Sequence, residues 1–419
     1  MKTLLVNSED GHGGAARAAM RLHLSLCALD VESHLLVQKK NTDRDTVIGP
    51  RPCLGFWQEE IRPHLDALPV SLYPRRTRSP FSPATLPGSL LKNIKRLSPD
   101  VVHMHWVCNG QVRLESLSKI KQPLVWTLHD FWPFTGGCHY PEGCQGYMEQ
   151  CGACPQLGSL REKDLSRWIW NRKDRYWRSL DLTIVAPSHW LADCVRESSL
   201  FGKLRVEVIP NGLDLDVYRP LDKAFCRDLF NLPQDRSLIL FGSINATSDK
   251  RKGFHLLQPA LNRLAEQGGA EKVELVIFGA TAQKNTVSMN FPVHYMGRLN
   301  DDTSMAALYS AADVVVVPSI EDNLPNVVME ALACGTPCVA FDIGGLPDMI
   351  DHQENGFLAR PFLVDDLALG LRWVLENNTC RLSLSTKART KVLEEFGMEK
   401  VTRRYMELYE DILARKIIC

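Results

Sequence analysis

The stretch Asp313-Val-Val-Val-Val-Pro-Ser-Ile-Glu-Asp-Asn-Leu-Pro-Asn-Val-Val-Met-Glu-Ala-Leu-Ala-Cys-Gly-Thr-Pro-Cys-Val-Ala-Phe-Asp-Ile-Gly-Gly345 decides the fold. Residues 314–317 are an unbroken β-branched run and 337–341 are a second apolar run, so both read as strands covered on two faces, the pattern of a parallel sheet. The residues between them predict a helix. Asn323 suits its cap, Pro325 its first turn, and Gly335 followed by Thr336-Pro337 its end. The whole is a strand-loop-helix-strand unit, and its loop falls at the carboxyl ends of the strands, where open α/β sheets bind ligands.

That loop carries Glu321, Asp322 and Asn323, and Glu330 follows on the helix. At 1.5 Å per residue, Asp322 and Glu330 are expected on the order of 10 Å apart along one line of a crevice, the length of a sugar nucleotide. Acids at the two ends suit hydroxyl groups, while backbone N–H groups at Asn323 and Leu324 suit phosphate. The plain alternative is an exposed acidic loop.

The order Pro318-Ser319, Asp322, then seven residues, Glu330-Ala331, Ala333, Gly335 and Pro337 resembles the donor-site signature of family 4 retaining glycosyltransferases. The resemblance implies the GT-B fold, two Rossmann-like doubly wound domains facing across a cleft, with a final helix crossing back to the first domain. It also implies that Glu330 holds the donor ribose and that the acid eight positions earlier contacts the donor sugar. The family usually has Glu at that earlier place. Here it is Asp322, so either Asp322 serves with a shorter reach or the adjacent Glu321 shifts in.

With 419 residues the chain predicts two domains. Its formal net charge is zero, which argues against general nucleic-acid binding. No apolar run approaches the length of about 18 residues that spans a bilayer, and no signal-peptide pattern opens the chain. The expected location is the cytoplasm, with peripheral contact at the inner membrane surface as a further reading. Thirteen cysteines, an odd number scattered over a long chain, do not form a secreted disulfide framework.

The first domain is expected over 1–215. A strand over 2–7 feeds Ser8-Glu-Asp-Gly-His-Gly-Gly14 and a helix, a geometry that presents N–H groups to phosphate. A plain tight turn is the alternative, and the resemblance places Gly13 and Gly14 across the cleft from the donor phosphates. The proline-rich, arginine-bearing segment 71–88 reads as a loop, with an acceptor phosphate or an anionic membrane as weaker readings. Two strands end in histidine, at His105 and at His129-Asp130. Imidazoles at strand carboxyl ends reach the crevice, and in the family the residue matching His129 lies near the reacting sugar. His105 ranks behind it.

Cys138, Cys144, Cys151 and Cys154 follow within an insertion over 136–157. Their spacing suits a structural tetrahedral zinc knuckle, and a disulfide-capable loop or inert thiols are the alternatives. The run 126–157 resembles that of colanic-acid-type polysaccharide glycosyltransferases. Residues 160–180 interleave Trp168, Trp170 and Trp177 with basic residues, which fits a packed, charge-rimmed helix better than one lying on a membrane.

The second domain is expected over 216–398, with the returning helix over 399–419. Arg251 and Lys252 precede a helix and place cations where an anion meets its positive end. The resemblance matches Lys252-Gly253 to a diphosphate contact. The family's usual arginine after the strand-end glycine is replaced here by Ser243, and Arg251 is the substitute. Gly344 supplies another turn near the donor.

These readings converge on a hexosyltransferase that moves a sugar from a nucleotide-diphosphate donor to a glycan or polyprenyl-linked glycan in exopolysaccharide or surface-glycan synthesis. Catalysis is assigned to His129, Lys252, Asp322 and Glu330, with no cofactor required. Two alternatives share the fold. One is a catalytically weak sugar-binding assembly protein, and the other is a sugar-nucleotide epimerase.

Overall fold

The computed structural model describes residues 1–11, 13–50, 55, 57–242, 249–266, 272–280, 291–299, 301–376 and 378–418. Ser243, named above, lies outside them. The chain divides into two compact units, Met1–Pro210 with Val401–Cys419, and Asn211–Lys400.

The first unit holds seven strands: β1 (Lys2–Val6), β2 (Glu32–Leu36), β3 (Val47–Ile48), β4 (Val101–Met104), β5 (Leu124–Thr127), β6 (Leu182–Ala186) and β7 (Arg205–Val208). They form one sheet in the order β3-β2-β1-β4-β5-β6-β7, and every pairing is parallel. Its helices are α1 (Gly14–Ala28), α2 (Arg62–Ser71), α3 (Leu90–Leu97), α4 (Leu114–Leu117), α5 (Leu165–Trp177) and α6 (His189–Glu197). β4, β5 and β6 are buried along their whole length. This is why they show no apolar-polar alternation.

The second unit begins with α7 (Lys223–Leu229) and β8 (Ser237–Gly242), followed by α8 (Phe254–Glu266), β9 (Val273–Phe278), β10 (Val293–Gly297), α9 (Asp302–Ala311) and β11 (Val314–Val317). It closes with α10 (Asn326–Ala333), β12 (Cys338–Phe341), β13 (Gly356–Ala359), α11 (Val364–Glu376) and α12 (Asn378–Glu395). Its sheet order is β10-β9-β8-β11-β12-β13, again all parallel. The last helix, α13 (Met398–Ile418), clusters with the first unit from Val401 onward.

Both sheets reverse their strand order at the first strand of the unit, between β1 and β4 and between β8 and β11. Such a switch point opens a crevice at the carboxyl ends of the strands. Each unit has its own apolar core, built on Leu4, Val102, Trp126 and Ile184 in the first and on Leu238, Leu240, Val315 and Ala340 in the second.

α10 departs from the expected helix. It is shorter, with Pro325 at its N-cap and Asn326 as its first residue, so Asn323 and Leu324 precede the helix and do not cap it. Pro325 holds an extended φ/ψ, and a proline ring suits that approach to a helix while leaving no N–H to satisfy. Within residues 160–180, Leu165–Trp177 form the packed helix α5. Trp170 and Trp177 are buried, Lys173 is fully buried, and only Trp168 stays about half exposed.

Candidate functional site

In the second unit, the carboxyl ends of β8 and β11 form a shallow recess lined by Gly242, Lys252, Pro318, Ser319 and Asp322 together with Val327 of α10. Lys252 closes a short 3-10 turn, Lys250–Lys252, just before α8. Its Nζ lies 2.7 Å from Asp322 Oδ2, and Ser319 Oγ donates to the same oxygen at 3.2 Å. Both members of the pair keep some exposure, 23% for the lysine and 16% for the aspartate, so a ligand can reach them.

Backbone contacts fix the two loops against each other. Ile320 N donates to Arg251 O at 2.9 Å, and Gly345 N donates to Asp322 O at 3.2 Å. Gly344 has a φ of +54°, and a Cβ there would collide with the Asp322 carbonyl oxygen. Gly253, with φ +72°, is packed in the same way against Pro318 O. Glycine is required at both places because only it combines left-handed backbone with so close an approach.

The structure thus brings Lys252, Asp322 and Gly344 together. Arg251 does not line the recess. Its Nη2 is paired with Asp249 Oδ2 at 2.6 Å, and its carbonyl anchors Ile320. Asp322 and Glu330 do not lie along one helix, since Asp322 belongs to an irregular loop and Glu330 to α10. Glu330 is 1% exposed and does not line the recess. It accepts from Tyr309 Oη at 3.1 Å. Sequence reasoning passed over Tyr309, because it acts through a carboxylate on another helix and carries no motif of its own.

In the first unit, β1 leads through the glycine loop to Gly13, the N-cap of α1, which has φ +88° and no acidic residue in its first turn. Gly14 is the first helical residue. His105 Nδ1 and His129 Nε2 lie 3.0 Å apart, and the His103 ring lies against His105 at 4.3 Å between centroids, tilted by 35°. Burial holds His129 at about 4 and His103 at about 3, and pushes His105 well below the ordinary range. All three are therefore neutral at pH 7 and serve as hydrogen-bonding groups there, not as cations.

Asp130 does not face a crevice. It is buried among His139 Nδ1 at 2.6 Å, Trp106 Nε1 at 2.7 Å and Trp132 N at 2.9 Å. Its work is to brace the loop that follows β5.

The four thiols of the insertion are free. Cys151 Sγ accepts from Gly136 N at 3.0 Å and Cys144 Sγ accepts from Gly146 N at 3.4 Å. Burial pushes the Cys151 thiol up to about 11 and raises Cys138 and Cys154 as well. Among the described residues, no three His, Cys, Asp or Glu side chains are grouped to hold a metal ion. Nor, among those residues, is any helix long and apolar enough to cross a membrane.

Two parallel α/β units, each with a switch-point crevice and one with a lysine-aspartate pair beneath a helix N-terminus, define the class. The chain belongs to glycosyltransferase family 4, with the GT-B fold. Residues 12–217 match the model described as Glycosyltransferase Family 4, and residues 235–377 match that of Glycosyl transferases group 1. It is similar to the putative colanic acid biosynthesis glycosyl transferase WcaC of Escherichia coli strain K12, with 25% identity over 81% of this chain and 83% of that one. It is also similar to the D-inositol 3-phosphate glycosyltransferase of Xylanimonas cellulosilytica, with 27% identity over 76% and 73% of the two chains.

Among solved structures, the sucrose-phosphate synthase of Thermosynechococcus elongatus shares the fold at TM-score 0.68 and 18% identity, over 99% of this chain and 100% of the other. Anabaena HepE, solved in complex with UDP-glucose, does so at TM-score 0.64 and 17% identity, over 98% of this chain and 100% of that one.

Proposed function

We propose that this glycosyltransferase is a retaining hexosyltransferase that uses a nucleotide-diphosphate sugar and acts on a glycan or lipid-linked glycan in surface polysaccharide synthesis. The observation that carries the reading is the Lys252–Asp322 pair in the recess at the carboxyl ends of β8 and β11. Departure of the nucleoside diphosphate is the demanding step, because negative charge grows on the phosphate oxygens as the bond to the anomeric carbon breaks. A lysine ammonium in a partly desolvated recess, beside the N-terminus of α8, offsets that charge. Asp322 then takes a sugar hydroxyl as hydrogen-bond acceptor once a diphosphate competes for the lysine.

His129 is assigned to the sugar or acceptor hydroxyl, and the family resemblance assigns Glu330 to the ribose, which it can reach only when its carboxylate leaves Tyr309. Gly13 and Gly14 are assigned to the phosphates, and Asn323 and Leu324 to the donor through their backbone. UDP-sugars are the donors to try first, since HepE was solved with UDP-glucose.

The test is a thermal-shift panel of nucleotide sugars, followed by turnover measurements. The true donor at a hundred times its Kd should stabilise the chain by about 2.7 kcal/mol, and Lys252→Ala should remove most of that shift. If no nucleotide sugar stabilises the protein, or if Lys252→Ala responds like the parent, the donor assignment fails.

A further inference from the structure

Ser319 stands in the segment that joins β11 to α10, and both of its neighbours are clamped to the Lys250–Lys252 turn and the glycine after it. On one side Gly253 packs so closely on Pro318 O that a Cβ there would collide with that oxygen. On the other, Ile320 N donates to Arg251 O at 2.9 Å. Ser319 is itself 1% exposed, so its side chain projects from a backbone held in two directions and away from water. Among the described residues its hydroxyl has one hydrogen-bond partner, Asp322 Oδ2 at 3.2 Å. A buried O–H without an acceptor is costly, which commits the hydroxyl to that carboxylate.

The Asp322 backbone is fixed where Gly345 N donates to its carbonyl at 3.2 Å. Its side chain reaches the protein through Oδ2, with Lys252 Nζ at 2.7 Å and Ser319 Oγ at 3.2 Å. A carboxylate has lone pairs on both oxygens, and among the described residues Oδ1 takes no hydrogen bond. An arriving anion treats the two contacts unequally. Lys252 is a cation 23% exposed at the recess, and phosphate competes with Asp322 for it. Ser319 is neutral and buried. Once the lysine turns to phosphate, Asp322 loses its charge-assisted bond and meets a second negative charge nearby, which drives the side chain to rotate away. The serine bond still holds Oδ2 and leaves Oδ1 free to accept from a hydroxyl.

We propose that Ser319 is a positioning residue that keeps the Asp322 carboxylate in place for the sugar after the diphosphate has drawn Lys252 away. That the ligand is a nucleotide sugar rests on the transferase reading, whereas the bond itself stands on the geometry of the loop.

The kinetic experiment uses the full chain. Ser319→Ala should bind the donor within about threefold of the parent by calorimetry, because Lys252 is intact, and should lower kcat by about tenfold, because a carboxylate out of place misplaces the sugar. In the Asp322→Ala chain no carboxylate is left to position, so adding Ser319→Ala there should change kcat by less than about twofold. An unchanged melting temperature shows that Ser319→Ala keeps the fold. Parent kcat in Ser319→Ala, or the same tenfold loss in the Asp322→Ala chain, overturns the proposal. A crystal structure of ligand-free Lys252→Ala needs no turnover. Asp322 should remain on Ser319 Oγ there and should turn away when Ser319→Ala is added, and an Asp322 already turned away in Lys252→Ala also overturns it. A parent chain that turns over no nucleotide sugar counts against the transferase reading, and the crystal structures then decide the Ser319 bond separately.

Discussion

At the residue scale, two neighbouring acids are set apart by a bond that spans seventy positions of the chain. Glu321 and Asp322 are equivalent candidates by pattern, but it is Asp322 that pairs with Lys252 and lines the recess. Replacing Asp322 with Asn should therefore lower kcat/KM for the donor by about a hundredfold, the range seen when one preorganised polar contact to a reacting group is lost. Glu321→Gln should stay within a few-fold of the parent. Steady-state kinetics on the two variants decides the matter, and the reverse ranking would hand the role to Glu321. The motif was legible at this scale because its residues lie close in sequence. The Tyr309 hydroxyl on Glu330 was not, because a tyrosine on one helix announces nothing about a carboxylate on another.

At the element scale, α2 and α13 carry the consequences. Exposed Trp57, Ile61, Leu68 and Leu72 run along and beside α2, and the exposed Arg75, Arg76 and Arg78 follow. Apolar side chains next to cations suit the face of an anionic bilayer. If the acceptor is lipid-linked, the chain should cosediment with phosphatidylglycerol vesicles but not with neutral ones. Leu68→Ser with Leu72→Ser should cut the bound fraction several-fold without lowering the melting temperature; retention of full binding would remove this face from consideration.

α13 is anchored from the other side of its helix. Tyr409 Oη lies 2.6 Å from His103 Nδ1, and Tyr405 Oη lies 2.8 Å from Thr127 Oγ1, all of them buried. Tyr409→Phe strands one imidazole nitrogen and should cost about 1–3 kcal/mol in urea unfolding. A change below the error of that measurement would mean that water or a shifted ring takes up the bond. The helices that follow the glycine loop and Lys252 were readable from composition and breakers. The start of α10 was misjudged because asparagine is a good cap in general, whereas here the loop is tied to Gly345 and Arg251 and turns into helix only after Pro325.

At the scale of the whole molecule, buried histidines give stability a pH dependence. Burial holds His23 and His129 at about 4 and His103 at about 3, against about 6.5 in an unfolded chain. Between those values the unfolded chain binds more protons than the folded one. Stability is therefore complete above about pH 6.5 and is lost as pH falls toward 4. The urea midpoint should be lower at pH 5 than at pH 7. That window lies above the range of the carboxylates Asp130 and Asp313, whose surroundings hold them below their ordinary values. An unchanged midpoint would show that these rings gain water or partners on protonation.

The sequence by itself determined the class of fold, through β-branched runs alternating with helices that glycine and proline end. It also determined the candidate acids and lysine, through spacing within one loop-helix unit. Packing in three dimensions alone chose which acid meets Lys252, buried Glu330 on Tyr309 and set Asp130 to brace a loop. The reason is one of range. Periodicity and local motifs act over a turn or a strand, whereas the partner of a charge is chosen by whichever distant segment the packing brings within hydrogen-bonding distance.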